Sequence, residues 1–250
     1  MEKKMILDIH THNFKGRADE VAASAAAHGI ERFIFLGDVL RYGDQPTPEQ
    51  IRQLNDETQA DVRRHFDHCR GFCFLNPDNP PEFLVEEANR CLDLPEFIGI
   101  KMEVCTNCRS TKLDPFMKIL EERNLVLLHH CWYKTTGKHR FESDPSDIAD
   151  LARRFPKVKI VMAHLCGVGI RGVEDVADCP NVCIDTSGAQ PEAGLVEYAV
   201  KRIGAERIVY GSDATCRTFG AQLAKIREAD ITEAERNLIF CENARRLLGW

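Results

Sequence analysis

The feature that most restricts what this chain can fold into is an alternation that runs from end to end. Eight short apolar runs are each followed by a helix-forming stretch. The runs fall at residues 5–9, 31–36, 72–75, 97–102, 125–128, 158–163, 182–184 and 208–210. The helical stretches cover 18–28, 49–69, 81–91, 113–123, 144–155, a short piece near 173–176, and 192–203, with two more closing the chain. Their ends carry physical signals: Gly29 after the first, Pro81 and Pro145 at starts, and a capping box of Thr232 and Glu235 before the last. Strands alternating with helices, without a linker or an internal repeat, specify a parallel sheet covered by helices. A doubly wound open sheet is the weaker choice, because no G-x-G-x-x-G follows the first run. Polar residues gather instead at the C-terminal ends of the strands, where a barrel builds its active site. The expectation is an α/β fold, a (β/α)8 TIM barrel formed by residues 1–250 as a single domain, a length sufficient for that architecture.

Composition narrows the function. The net charge of -6 argues against a broad nucleic-acid surface and against a polybasic membrane contact. No apolar run approaches transmembrane length and the N-terminus lacks the apolar core of a signal peptide, so a cytoplasmic protein is expected. Eleven cysteines, an odd number scattered through strands and helices, read as reduced thiols. The C-x-x-C pair Cys105 and Cys108 has no second copy, so it reads as loop thiols rather than a zinc ribbon.

Chemistry collects at the strand ends. His10 and His12 stand two apart where the first strand ends, so both imidazoles project to one face and can converge on an ion. Later strands end at Lys101 and Glu103, at the doublet His129-His130, at His164 and at Asp213. One such residue could be a satisfied core histidine. Several on different strands of one barrel, imidazoles with a carboxylate, suit a divalent metal: zinc first, with iron or manganese also acceptable.

These residues carry a resemblance. Asp8-Ile-His-Thr-His12, Gly99-Ile-Lys101, Leu127-Leu-His-His-Cys-Trp132, Met162-Ala-His-Leu-Cys-Gly167, Tyr210-Gly-Ser-Asp213 and the closing stretch from Asn243 to Gly249 occur in order from residue 5 to the C-terminus. Together they resemble the amidohydrolase superfamily, in the amidohydrolase-related (amidohydrolase 2) branch that holds decarboxylases and hydratases beside hydrolases. The resemblance implies the barrel and one or two metal ions at its C-terminal face. It implies His10, His12, a fifth-strand histidine and Asp213 as ligands. His130 fits the spacing before Trp132 better, with His129 as the alternative. His164 would be a second metal's ligand or the acid/base, and Asp213 would also orient the attacking water. Lys101 would be carbamylated and bridge two metals, or simply pair with Glu103 or Asp185; Glu103 shares its parity and could itself reach the metal.

A metal-bound water made acidic in this way attacks esters, lactones or amides, and the same constellation can decarboxylate or hydrate an unsaturated acid. The leading expectation is a metal-dependent hydrolase acting on a small, anionic substrate; a decarboxylase or hydratase is the alternative. A TatD-like or small-molecule phosphoesterase is a rival, though a nuclease would want a basic face. A catalytically silent barrel scaffold is the non-enzymatic one. Lys134 and Arg140 in the loop after strand five, and Arg217 past strand eight, are candidates for holding the substrate anion, against the plainer reading of a solvated basic loop. A homo-oligomer using the long helix from Glu49 or the terminal Trp250 is open.

Overall fold

The computed structural model describes residues 5–189 and 192–250. Eight parallel strands lie in sequence order: β1 (Leu7–Thr11), β2 (Arg32–Phe35), β3 (Cys69–Phe74), β4 (Phe97–Met102), β5 (Val126–His129), β6 (Lys159–Met162), β7 (Val182–Asp185) and β8 (Ile208–Val209). Backbone hydrogen bonds draw β1 and the chain after β8 together. Ile9 N–H reaches the Tyr210 carbonyl at 3.1 Å, Asp213 N–H the His10 carbonyl at 2.7 Å, and His12 N–H the Ala214 carbonyl at 2.5 Å. The (β/α)8 barrel expected from the alternation is the fold observed.

The covering helices are α1 (Ala18–Ala27), α2 (Pro48–Arg64), α3 (Pro81–Leu92), α4 (Asp114–Arg123), α5 (Pro145–Arg154), α6 (Leu165–Asp175), α7 (Leu195–Ile203), α8 (Phe219–Arg227), α9 (Glu233–Asn237) and α10 (Asn243–Leu248). Two differ from the sequence expectation. Helix α2 stops at Arg64 rather than near residue 69, because Cys69 and Arg70 already pair with β2. Helix α6 starts at Leu165, well before residue 173; Gly167, Gly169 and Gly172 lower its helix propensity, and Gly169 breaks its geometry at φ 58°. Thr47, Asp144 and Thr232 close capping boxes at α2, α5 and α9, each worth about 1 kcal/mol. No described helix is long and apolar enough to cross a membrane.

The core has two layers set by strand alternation. Phe33, Phe35, Leu127, Ile160, Met162, Val182, Ile184 and Ile208 face the helices. The opposite parity, Ile34, Leu128, Val161, Cys183 and Val209, forms a smaller cluster inside the barrel with Leu7 and Ile9, closed by Ala244 and Leu247 of α10. Buried aliphatic side chains fill the lower barrel, and the polar side chains stand above them.

Candidate metal and catalytic site

Strand β1 places its histidines by an irregularity. Asp8 pairs with Phe33 and Thr11 with Phe35, so three steps on β1 span two on β2. Unbroken alternation from the inward Leu7 and Ile9 would turn His10 toward the helices. The extra residue resets the parity and aims His10 and His12 inward, the re-aiming for which bulges beside functional sites are known. Gly211 makes room for this: a Cβ there would lie 2.9 Å from the His10 Cβ and 3.1 Å from the Asp185 Cγ.

Both rings are fixed from behind. His10 Nδ1 lies 2.8 Å from Asp185 Oδ2, and His12 Nδ1 lies 2.9 Å from the Gly37 carbonyl. These acceptors hold the protons on Nδ1 and leave each Nε2 lone pair forward. His10 Nε2 and His12 Nε2 stand 3.7 and 3.5 Å from a single oxygen, Asp213 Oδ1. Two donors each about 2.0–2.2 Å from one ion stand roughly 3–3.7 Å apart, so the trio has the spacing of a shared coordination sphere. His10 Nε2 is buried without a hydrogen-bond partner, as a ligand atom facing an ion position would be. The donor set, two imidazoles and a carboxylate, fits a divalent transition metal.

The electrostatics agree. Burial lowers the imidazolium range of His10, depresses His12 to about 4 and holds His164 well below its ordinary value, with Lys101 adding to all three. Burial thus favours the neutral form of each ring, the form that can ligate a metal. Burial would raise Asp185, but the His10 charge and hydrogen bonds to His10, Ser187 and the His164 backbone hold it below the usual carboxylate range. Asp213 is raised by burial.

His164 and Asp213 both have left-handed backbones, φ 74° and 57°, a conformation costing a non-glycine residue on the order of 1–2 kcal/mol. His164 is held there by its N–H on Asp185 Oδ1 at 3.0 Å, and its Nδ1 lies 2.7 Å from Ser187 Oγ. Asp185 Oδ1 also accepts from Ser187 N–H at 2.9 Å and from the Ser187 hydroxyl. His10, His164 and Asp185 thus form a hydrogen-bonded brace, with the carboxylate already engaged on both oxygens.

Register separates the histidine doublet. His129 pairs with Met102 and Met162, whose side chains face the helices, whereas Leu128 and hence His130 follow the inward parity. His130 Nδ1 meets Glu103 Oε1 at 3.1 Å and His164 Nε2 at 3.2 Å, while Nε2 meets Glu142 Oε1 at 2.8 Å. It adjoins the His10–His12–Asp213 trio without joining it. His129 Nδ1 lies 2.6 Å from the His130 carbonyl, and its Nε2 is buried without a partner. Lys101 forms a buried ion pair with Glu103 at 2.8 Å, and neither the Lys101 Nζ nor that Glu103 oxygen makes an aligned hydrogen bond. Burial opposes ionisation of Glu103, yet Lys101 and His130 hold it at about 2.

Of the cationic residues singled out for substrate, Lys134 is neutralised by Glu142 at 2.7 and 3.0 Å and lies 5.3 Å from the Trp132 ring centre. Arg140 is exposed and stacks on Phe141. Arg217 donates its backbone N–H to the Asp213 carbonyl at 2.9 Å, and its Nε is buried without a partner. Sequence reasoning missed Glu142, which is 1% exposed and holds both His130 and Lys134. One acid in a polar loop gives no signal of where it folds. It also missed the Gly37 carbonyl, a backbone group with no sequence signature. Cys105 and Cys108 are buried free thiols.

Comparison with known proteins fits this geometry. The amidohydrolase family profile matches residues 7–250. No curated protein matches the sequence. Among solved structures, 5-carboxyvanillate decarboxylase LigW from Sphingomonas paucimobilis superposes with a TM-score of 0.78 at 15% identity, covering 98% of this chain and 99% of that one. The 2,6-dihydroxybenzoate decarboxylase from Rhizobium gives 0.77 at 18% identity, with 100% and 99% coverage. A dihydroxybenzoic acid decarboxylase from Polaromonas sp., solved with manganese and 2-nitroresorcinol, gives 0.75 at 16%, with 98% and 97% coverage. At these identities the likeness is one of fold.

Proposed function

This chain belongs to the amidohydrolase family, and we propose that it is a metal-dependent decarboxylase of a small aromatic or unsaturated carboxylic acid. The observation that carries the metal-dependent part is the convergence of His10 Nε2 and His12 Nε2 on Asp213 Oδ1, with the other nitrogen of each ring tied down. Decarboxylation is favoured over the hydrolysis that the sequence put first by the decarboxylases of the same fold. A planar substrate also suits the wall beside the site, where the Trp132 ring lies 5.2 Å from that of His164 and 6.3 Å from that of His130.

His10, His12 and Asp213 would hold one divalent ion, manganese or zinc, which when bound supplies Lewis-acid polarisation of a substrate oxygen. Lys101 is engaged by Glu103, so we read the centre as mononuclear rather than carbamate-bridged. Arg217, whose Nε lacks a partner while its Nη1 donates to the Cys216 carbonyl, would take the carboxylate. His164, neutral at rest, relays the proton: the bond to the carboxyl carbon breaks, CO2 leaves, and the carbon that carried it takes a proton passed on through His164 Nε2 from the His130 Nδ1 beside it. His130, oriented by Glu142, stands 3.2 Å behind that nitrogen and can resupply it.

The test is product analysis with manganese-loaded and zinc-loaded protein, on hydroxybenzoates and unsaturated acids in parallel with esters, lactones and amides. CO2 release that disappears in His10→Ala supports the reading. Hydrolysis of a neutral ester, lactone or amide with no CO2 from any acid overturns it in favour of the hydrolase. Metal content near one ion per chain supports the mononuclear centre; two would restore the bridging role of Lys101.

A further inference from the structure

We propose that Cys166 and Lys225 form a peroxide-responsive modification site, at which the cysteine sulfur becomes covalently linked to the lysine nitrogen. The two belong to different helices, α6 and α8, yet Lys225 Nζ lies 3.2 Å from Cys166 Sγ. Both line a cavity of about 470 Å3 that also touches Glu192, Val196, Ala221 and Glu228 and gives a small oxidant a route to the sulfur. Nine of the other cysteines are buried and Cys216 is exposed. Among the described hydrogen bonds, only Cys166 has a lysine nitrogen on its sulfur.

The chemistry balances in two steps. A hydroperoxide oxidises the Cys166 thiol to a sulfenic acid; the O–O bond is reduced, one oxygen passes to sulfur and the other leaves as water or an alcohol. The Lys225 amine then attacks that sulfur: the S–N bond forms, the S–O bond breaks, and hydroxide leaves with an amine proton as water. A sulfenic acid is known to condense with a nitrogen in this manner. Burial pulls the Lys225 ammonium below its ordinary range, against the pull of Cys166, and so favours the neutral amine that the second step needs. Burial also pushes the Cys166 thiol up despite Lys225, so the first step requires peroxide in excess rather than proceeding in air.

The pair is wired to the barrel mouth without belonging to the metal site. Lys225 Nζ also donates to the Thr186 carbonyl at 2.9 Å, and Cys166 N–H donates to the Ser187 carbonyl at 3.1 Å. Thr186 sits between Asp185 and Ser187, the residues that brace His10 and His164. Drawing Nζ to bonding distance of sulfur pulls it from Thr186. The inference does not depend on which reaction the site catalyses.

The experiment is peptide mapping of the metal-loaded, full-length protein after graded hydrogen peroxide, with remaining thiols alkylated before digestion. The expected product joins the Cys166 peptide to the Lys225 peptide at about 2 Da less than their summed mass, and thiol reductant reverses it. Cys166→Ser abolishes the link, and Lys225→Arg leaves Cys166 as a dimedone-reactive sulfenic acid or its overoxidised forms. Wild-type protein in which Cys166 stays unmodified, or carries only oxygen while Lys225 remains free, at peroxide doses that oxidise Cys216 overturns the proposal. That result stands on wild-type protein alone, whether or not the variants fold.

Discussion

Asp185→Asn tests the idea that the forward lone pair of His10 is set from behind. Asp185 Oδ2 faces His10 Nδ1 at 2.8 Å, and Oδ1 accepts from the N–H groups of His164 at 3.0 Å and Ser187 at 2.9 Å. An asparagine satisfies only one side. With its amide nitrogen toward His10, it forces the imidazole proton onto Nε2 and removes the lone pair facing Asp213. Turned over, the amide nitrogen meets two backbone donors inside a fully buried site. Either arrangement weakens the ion site, and changes at this kind of supporting residue cost about 10–100-fold in metal affinity, or roughly 1.4–2.7 kcal/mol. The assay is competition with a chromophoric chelator on protein stripped of metal and reloaded, with circular dichroism to show that the variant is folded. A folded Asp185→Asn protein that binds metal within about twofold of wild type refutes the tautomer argument.

Other outcomes follow from the same geometry. His164→Asn should lower kcat by about 10²–10⁴ while leaving metal content unchanged; loss of the ion would make His164 a ligand instead. Gly211→Ala puts a methyl 2.9 Å from the His10 Cβ, and should reduce metal affinity more than global stability, read by comparing chelator competition with thermal melts. Glu103 and Glu142 are held at about 2 against an ordinary 4.5, so their contribution to stability is full above about pH 4.5 and is lost as pH falls toward 2. Glu103→Gln should flatten the acid-unfolding profile in that window and lower stability at pH 7 by leaving Lys101 unpaired; an unchanged acid slope would contradict the assignment.

The barrel could be read from the sequence because strand and helix differ in hydrophobic period, and eight repetitions leave little choice of architecture. The residues at strand ends were legible for a related reason: His10, His12, Lys101, His164 and Asp213 are polar where a packed core would be apolar. What escaped was whatever depends on backbone path. The bulge that turns His10 inward exists only as a pairing register between β1 and β2. The spacing before Trp132 preferred His130 but left His129 open; the pairing of His129 with Met102 and Met162 turns His129 toward the helices. Glu142 comes to His130 through the fold of a long loop, and helix α6 was hidden by its glycines.

The seam of the barrel has a consequence for how the protein is made. The hydrogen bonds from Asp213 N–H to the His10 carbonyl and from His12 N–H to the Ala214 carbonyl join the first strand to the last, and Ser212 and His10 in the same seam are 202 residues apart in sequence. The backbone groups of His10, His12 and Asp213 are thus part of that closure. A chain emerging from a ribosome presents His10 and His12 early but cannot offer Asp213 until nearly the whole sequence has been translated, some 10–40 s later at ordinary rates of synthesis. Until then the forward Nε2 atoms of the two histidines have no carboxylate facing them, and an ion captured by them would be weakly held and exchangeable. In the proposed site the carboxylate thus arrives last, and an ion held by all three residues would clasp the two ends of the sheet together.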